Sequence, residues 1–215
     1  MKKTKYHPFN EISQEEFLKL FKGPLKKLLD YARSQKITVR PLNERIKAES
    51  NKLLIKHVTL LAKQNIPIWI ASIKHRFILA DVLDLELSSK KNRITALVIF
   101  PHEIAHIQKD IRPYLLNHCP SSYVSVCTCP LLEYHCYKEG LKIIKKLEIL
   151  IDEKSFWDLA LRFVGCHRGF CPKFNKCPIL KKNIYQIPEE HTKQILFWKK
   201  QKKKLGIKRV LEDYL

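Results

Sequence analysis

Glycine is scarce in this chain, and its scarcity limits the folds that the chain can adopt. Only 5 of the 215 residues are glycine, whereas 11 are proline. Turn-rich β-sandwiches and barrels place glycine at many tight turns, and phosphate-binding loops need several glycines in a short stretch. The composition therefore predicts helices joined by proline-marked turns, and it argues against a glycine-rich phosphate loop.

Apolar residues at helical spacing predict a mainly α fold with a minor β component, which is the α+β class. Ser13 and Glu16 form a capping-box pattern at the start of the first predicted helix, and Gly23-Pro24 separates this helix from the second. Further helices are predicted at residues 43–64, 131–150, 156–164 and 189–211.

Three stretches have the β-branched and aromatic composition of strands. Residues 37–40 are a brief candidate, the segment IPIWIASI (66–73) has strand character, and ITALVIF (94–100) is the most strand-like run in the chain. Pro101 follows this run directly. We expect it at the first position of a helix that extends to about Asn117.

All seven cysteines lie between residues 119 and 177, and four of them are followed directly by proline. This clustering predicts a thiolate metal site that organises the C-terminal half and holds an iron–sulfur cluster or Zn²⁺, although buried, inert thiols are the alternative. Two ligand sets remain open. One set is the four cysteines before proline, Cys119, Cys129, Cys171 and Cys177. The other joins the cysteines of the C-terminal loop, Cys166, Cys171 and Cys177, to one upstream thiolate, for which the candidates are Cys119, Cys127, Cys129 and Cys136.

The segment Cys171-Pro-Lys-Phe-Asn-Lys-Cys177-Pro178 resembles the last two cysteines of the cluster loop in endonuclease III-type DNA glycosylases. It is also similar to the C-terminal cysteine cluster of certain RecB-type nucleases. The resemblance covers this short segment and implies an iron–sulfur cluster at these cysteines.

Upstream of the cysteines, five successive residues read His-Glu-Ile-Ala-His, which is an HExxH motif. On a helix this spacing puts two imidazoles one turn apart on one face. The motif resembles that of the zincin metallopeptidases, which implies that His102 and His106 bind zinc and that Glu103 is the general base. A third ligand must come from downstream, and we favour Glu133 over Glu139. The alternative is an amphipathic helix with two surface histidines.

The net charge of +20 is large for a chain of this size. Such a surface attracts polyanions, of which nucleic acid is the commonest and anionic lipid the next. The segment WKKQKKKLGIKR joins an aromatic side chain to a run of cations and can lie along a phosphate backbone. A solvated helix face is the alternative. The predicted nucleic-acid-binding residues are Trp198, Lys199, Lys200, Lys202, Lys203, Lys204, Lys208 and Arg209.

The chain can be divided near residue 90. Residues 1–90 are then a helical N-terminal region, and residues 91–215 are a cysteine-rich metal-binding region that ends in the basic helix. A single domain formed by residues 1–215 is the alternative, since the chain is long enough for one good hydrophobic core.

The segment MKKTKYHPFNEIS has a basic start without an apolar run behind it, so we expect no secretory signal. No uncharged stretch approaches the roughly 20 residues that span a bilayer. These features predict a cytoplasmic protein. In that reducing compartment the cysteines are expected to be thiols or metal ligands rather than disulfides.

These patterns lead to three hypotheses for the function. The leading one is a nucleic-acid-binding or nucleic-acid-processing protein whose thiolate metal site supports its basic helices. The alternative is an HExxH zinc metallopeptidase, and the second alternative is a non-enzymatic structural or partner-binding protein. The sequence therefore leaves open whether the protein is an enzyme.

Overall fold

A computed structural model describes residues 12–42, 69–80, 90–119, 129–166, 171, 173–181 and 186–204. This part of the chain is mainly helical and contains a small three-stranded sheet. The predicted α+β class is confirmed at this level. The helix predicted at residues 43–64 lies outside the described residues.

Two short helices begin the described chain, as the capping box and Gly23-Pro24 predicted. Helix α1 spans Gln14–Lys19; the Ser13 hydroxyl accepts the Glu16 backbone N–H at 3.2 Å, and the Glu16 carboxylate accepts the Ser13 N–H at 3.1 Å. Helix α2 spans Pro24–Ser34 and follows Gly23, whose φ of 53° suits glycine. The buried face of α2 consists of Leu25, Leu28, Leu29 and Ala32.

The sheet consists of β1 (Thr38–Pro41), β2 (Trp69–Ser72) and β3 (Phe77–Ala80). The strand predicted at residues 37–40 corresponds to β1, and β2 lies within the predicted segment 66–73. Each strand is only four residues long. The sheet is therefore the minor component that the sequence predicted.

The strand order is β1-β3-β2, which places β3 in the centre. β1 pairs with β3 in parallel, with Thr38 opposite Phe77. β2 pairs with β3 antiparallel, with Trp69 opposite Ala80. β2 is consequently an outer strand of the described sheet, and it packs against the helix at Lys90–Gln108.

The segment that the sequence indicated as the most strand-like is helical. Helix α3 spans Lys90–Gln108 and includes both residues 94–100 and Pro101. The strand prediction and the prediction that Pro101 opens a helix are therefore wrong. Because α3 is packed on several sides, its residues form a continuous apolar run, and such a run cannot be distinguished from a buried strand by its spacing. Phe100 and Ile104, which lie on either side of Pro101 in the chain, are fully buried. The free energy gained by burying such side chains outweighs the free-energy cost of a proline inside the helix.

The single helix predicted for residues 101–117 is divided in two. Helix α4 spans Arg112–His118 and has Pro113 in its first turn, where a proline lacks no helical hydrogen bond. Asp110 stabilises the N-terminus of α4, because its carboxylate accepts hydrogen bonds from the backbone N–H of Arg112 at 3.0 Å and from the guanidinium of Arg112 at 2.8 Å. A helix that continued unbroken would place Pro113 in its interior.

Three longer helices and one short 3-10 turn complete the described chain. The helices are α5 (Pro130–Lys146), α6 (Glu153–Cys166) and α7 (Glu189–Lys204), and the turn is Phe174–Lys176. The predicted helices at 131–150 and 156–164 are confirmed with shifted ends. α7 occupies the described part of the predicted basic helix.

Helix α3 is the centre of the packing, because it contacts α2, α5, α6 and the sheet. The ring of Phe100 lies 5.7 Å from that of Phe21 and 5.0 Å from that of Trp69, measured between centroids. Apolar side chains between Phe17 and Ile195 share one core, so regions on both sides of residue 90 pack together. None of the described helices combines the length and apolar composition needed to cross a membrane.

Candidate metal centre

The two histidines of the HExxH motif lie one turn apart on α3, and Glu133 of α5 faces them. The Nε2 atom of His102 lies 3.1 Å from the Nε2 atom of His106 and 3.1 Å from a carboxylate oxygen of Glu133. The other oxygen of Glu133 lies 3.6 Å from Nε2 of His106. All three residues are buried. Together they can hold a metal ion.

The spacing of these three donors fits a tetrahedral zinc site. With ligand bonds of about 2.0–2.1 Å, neighbouring donors of a tetrahedral zinc lie about 3.3–3.4 Å apart. The imidazole nitrogens lie 3.1 Å apart, and they lie 3.1 and 3.6 Å from the two different carboxylate oxygens of Glu133, so the observed separations bracket that value. Two imidazoles and one carboxylate are also the donor set of a catalytic zinc that keeps its fourth position open. The chemistry and the geometry therefore both suit Zn²⁺.

Glu103 lies beside the three donors. One of its carboxylate oxygens is 3.8 Å from Nε2 of His102, and the side chain is largely buried. Burial raises the pKa of Glu103 to about 8, although nearby His106 opposes the rise. The backbone N–H of Ala71 in β2 donates a hydrogen bond to this carboxylate. Glu103 is thus held between the metal ligands and the outer strand of the sheet.

Two residues of α5 support the histidines. The sulfur of Cys136 lies 3.3 Å from Nδ1 of His106, the ring nitrogen that faces away from the other donors. Burial alone would lower the pKa of His106, but Cys136 and Glu133 outweigh it and raise this pKa well above its ordinary value. The ring of Tyr137 stacks on His102, with the centroids 3.8 Å apart. Each histidine is therefore oriented by its own neighbour on α5.

Gly140 permits the close approach of α5 to α3. A Cβ atom at this position would lie 3.0 Å from the backbone nitrogen of His102 and 3.0 Å from the carbonyl carbon of Pro101. Glu133, Cys136, Tyr137 and Gly140 recur at helical spacing, so all four lie on the face of α5 that meets α3. The glycine lets this face come near enough for Glu133 to reach the histidines.

The other candidate for the third ligand, Glu139, forms ion pairs with two lysines instead of facing the histidines. Its carboxylate accepts hydrogen bonds from Lys109 and Lys142, the latter at 2.6 Å. Burial opposes ionisation of Glu139, but these two bonds outweigh it and lower the pKa of the carboxyl. Glu139 is therefore a buried carboxylate that is paired with two exposed lysines instead of with the histidines.

The predicted thiolate ligands are placed in several parts of the described chain. Cys119 directly follows α4, Cys129 directly precedes α5, and Cys171 and Cys177 flank the 3-10 turn; all four are half-buried at the edge of the core. The side chain of Cys166, which ends α6, lies outside the described part of the chain.

The basic helix α7 packs against α6. Trp198 is half-buried because its Cβ atom lies against Gly165, and the guanidinium of Arg162 lies 5.2 Å from the centre of its ring. Lys199 is half-buried and Lys200 is exposed. The predicted nucleic-acid contacts stay a prediction. Those that fall outside the described side chains are Lys202, Lys203, Lys204, Lys208 and Arg209.

Several residues of the site could not be predicted from the sequence. The sequence indicates Cys136 only as one of the upstream thiolates, and no motif includes Tyr137, Gly140 or the backbone of Ala71. A sequence signal exists for those on α5, because they follow Glu133 by three, four and seven residues. No sequence signal points to Ala71, since its role depends on the packing of β2 against α3.

No protein family model matches this chain, and no curated protein and no solved structure matches it. The geometry of the site is therefore the basis for a functional assignment.

Proposed function

We propose that this protein is a zinc-dependent peptidase in which His102, His106 and Glu133 bind the metal and Glu103 is the general base. One observation carries the proposal: packing of α5 against α3 brings a buried carboxylate to the two histidines at zinc-ligand spacing. A group of two imidazoles and one carboxylate leaves the fourth position of a zinc ion for water or substrate.

Zinc, when bound, supplies a Lewis acid that activates water and polarises the scissile carbonyl. The remaining chemistry belongs to the protein. In its ionised form Glu103 would accept the proton of the attacking water at its carboxylate and then pass it to the departing amine. The Ala71 N–H fixes the orientation of this carboxylate. Cys136 and Tyr137 hold the two imidazoles in place, which lowers the entropic cost of binding the metal.

The outer position of β2 supports a peptide as the substrate class. β2 pairs with β3 on one side, and within the described ranges no strand pairs with its other side. β2 also packs against α3 and contacts Glu103 through Ala71. An extended peptide that adds to this edge by backbone hydrogen bonds would pass close to the metal ligands. A peptide bond is therefore the scissile group that we propose.

The test compares Glu103→Gln with the matched variant Glu139→Gln on α5. Hydrolysis of fluorescently labelled casein is measured with the zinc-loaded proteins, and bound zinc is measured by mass spectrometry. Replacement of the base should lower the rate by about 10²–10⁴-fold while zinc remains bound. The Glu139 variant should keep its activity, because this carboxylate contacts two surface lysines instead of the ligand group.

Two results would contradict the proposal. If Glu103→Gln were as active as the wild type, the carboxylate would not be the general base. If the wild type bound zinc and hydrolysed no peptide in a diverse peptide library, the site would be structural, as the non-enzymatic hypothesis states.

We also propose nucleic-acid contact by α7 as a second function. The net charge of +20 supports it, together with the exposure of Phe197 and Lys200 near the end of the described helix. Phe197 is 52% exposed and offers a ring for base stacking, whereas Trp198 is partly covered by α6. This function requires no chemistry from the metal site and is tested separately.

A further inference from the structure

We propose that Lys74, His75 and Arg76 form a subsite that binds acidic side chains of a peptide substrate near the zinc site. These three residues, which we call the basic turn, belong to the four-residue turn 73–76 between β2 and β3. The inference rests on the proposed peptidase function and deepens it, because it names the class of peptide that the enzyme selects.

The position of the basic turn relative to Glu103 follows from β2. The backbone N–H of Ala71 donates a hydrogen bond to the Glu103 carboxylate, and β2 packs against α3. The turn begins two residues after Ala71, which is about 7 Å along a strand. An extended peptide on the outer side of β2 rises by the same distance per residue. With its scissile bond at Glu103, the peptide therefore brings side chains two to four residues from this bond to the basic turn.

The charge of the basic turn is available to a ligand. Its three side chains are exposed, and no acidic residue occurs in the segment 69–80. Lys36, which precedes β1, is an exposed cation at the same end of the sheet. The carboxylates of Glu15 and Glu16 in α1, the helix that packs on β1, are bonded within residues 13–19. This end of the sheet therefore attracts carboxylates.

Neighbouring residues hold the basic turn in one conformation. The guanidinium of Arg76 donates to the carbonyl oxygen of Gln35 at 2.7 Å, and the backbone carbonyl of Arg76 accepts the N–H of Thr38 at 3.0 Å. The ring of His75 stacks on that of Phe77, with the centroids 6.3 Å apart. Because the turn is already ordered, binding of an acidic side chain costs less conformational entropy.

The backbone at two of these cations is one that glycine adopts more readily. Arg76 has a φ of 52° and Lys36 a φ of 58°, both in the left-handed region. Lys36 follows Gln35, the C-cap residue of α2, and helices often have glycine at that position. Long cationic side chains at positions where glycine would relieve strain indicate that the charge serves a ligand in addition to the fold.

The size of the basic turn favours a peptide over nucleic acid as its ligand. Three side chains within a single turn can contact one or two carboxylates. A nucleic-acid strand is bound by cations that follow its backbone over several nucleotides. The turn also adjoins the strand edge on which we place the peptide substrate, so an acidic peptide can reach both.

The test measures kcat/KM of the zinc-loaded full chain on fluorescence-quenched peptides that carry Glu or Gln at each position. Glu two to four residues from the scissile bond should raise kcat/KM about two- to fivefold, the range for exposed ion pairs. This preference should be lost in about 1 M salt. Lys74→Glu should reverse it. Lys138→Glu, an equal charge change on the exposed face of α5, should keep it. Arg76→Gly should weaken it and keep the fold, because glycine accepts the observed φ.

Binding to the zinc-loaded Glu103→Gln variant, measured by fluorescence anisotropy, separates the two proposals. Cleavage without preference for Glu over Gln overturns the subsite and leaves the peptidase standing. Tighter binding of the Glu peptides without any cleavage supports the subsite and contradicts the peptidase, whereas equal binding overturns the subsite. A loss of preference in Lys138→Glu as large as in Lys74→Glu would assign the effect to net charge. If Lys74→Glu weakened binding of a labelled oligonucleotide and left the peptide preference unchanged, the turn would contact nucleic acid instead.

Discussion

Gly140→Ala tests whether the close approach of α5 to α3 builds the zinc site. The added Cβ atom would lie 3.0 Å from backbone atoms of Pro101 and His102, about 0.4 Å short of the 3.4 Å at which ordinary contact begins. Backbone atoms cannot turn aside as a flexible side chain can, so α5 must move away by about that distance. Metal–ligand distances tolerate changes of only about 0.2 Å. Glu133 moves with α5 and should leave its ligand position.

The expected result is a zinc dissociation constant raised about 10- to 100-fold, the range typical when the support of a ligand is lost. Overpacking costs about 1–3 kcal/mol of stability, and the better helix propensity of alanine returns about 1 kcal/mol. The free energy of unfolding should therefore fall by no more than about 2 kcal/mol. Zinc affinity is measured by competition with a chromogenic chelator, and stability by urea unfolding of the metal-free protein.

Gly165→Ala provides the matched control at the contact between α6 and α7. There the new Cβ atom would lie 2.5 Å from Cβ of Trp198, a more severe clash, but no zinc ligand is in this contact. This variant should lose more stability than Gly140→Ala and keep the zinc affinity of the wild type. Wild-type zinc affinity in a folded Gly140→Ala protein would refute the reasoning. An equal loss of affinity in both variants would show that general destabilisation causes it.

Two further predictions concern single side chains. Cys136→Ala removes the hydrogen-bond partner of the His106 Nδ1 atom and should weaken zinc binding about tenfold or more without changing the zinc stoichiometry. The same chelator competition measures the zinc affinity. An unchanged affinity would mean that the sulfur does not orient the ring. Lys200→Glu in α7 should weaken binding to a fluorescently labelled nucleic acid and reduce the salt dependence of this binding by about one phosphate contact. Lys27→Glu on the exposed side of α2 is the control and should change neither quantity. If the wild type bound nucleic acid independently of salt, or did not bind it, nucleic-acid contact would be excluded.

Much of the local structure could be predicted from neighbouring residues in the sequence. The capping box of Ser13 and Glu16 and the proline after Gly23 each act over a few residues, so α1 and α2 begin where the sequence indicated. The prediction failed at α3 for a physical reason. A helix that is buried on several sides has no exposed face of polar residues, so its sequence lacks the 3.6-residue spacing of polar and apolar positions. Its apolar run then resembles the sequence of a buried strand.

The donor types and their spacing within one element follow from the sequence alone. It placed His102 and His106 one turn apart, and it offered both Glu133 and Glu139 as a third donor. The packing of α5 against α3 selects between these two carboxylates. Six residues turn a helix by about 240° beyond one full turn, so the two glutamates cannot face the same neighbour. The face of α5 that Gly140 brings against α3 is the one that carries Glu133, because a backbone contact this close is possible only where a Cβ atom is missing.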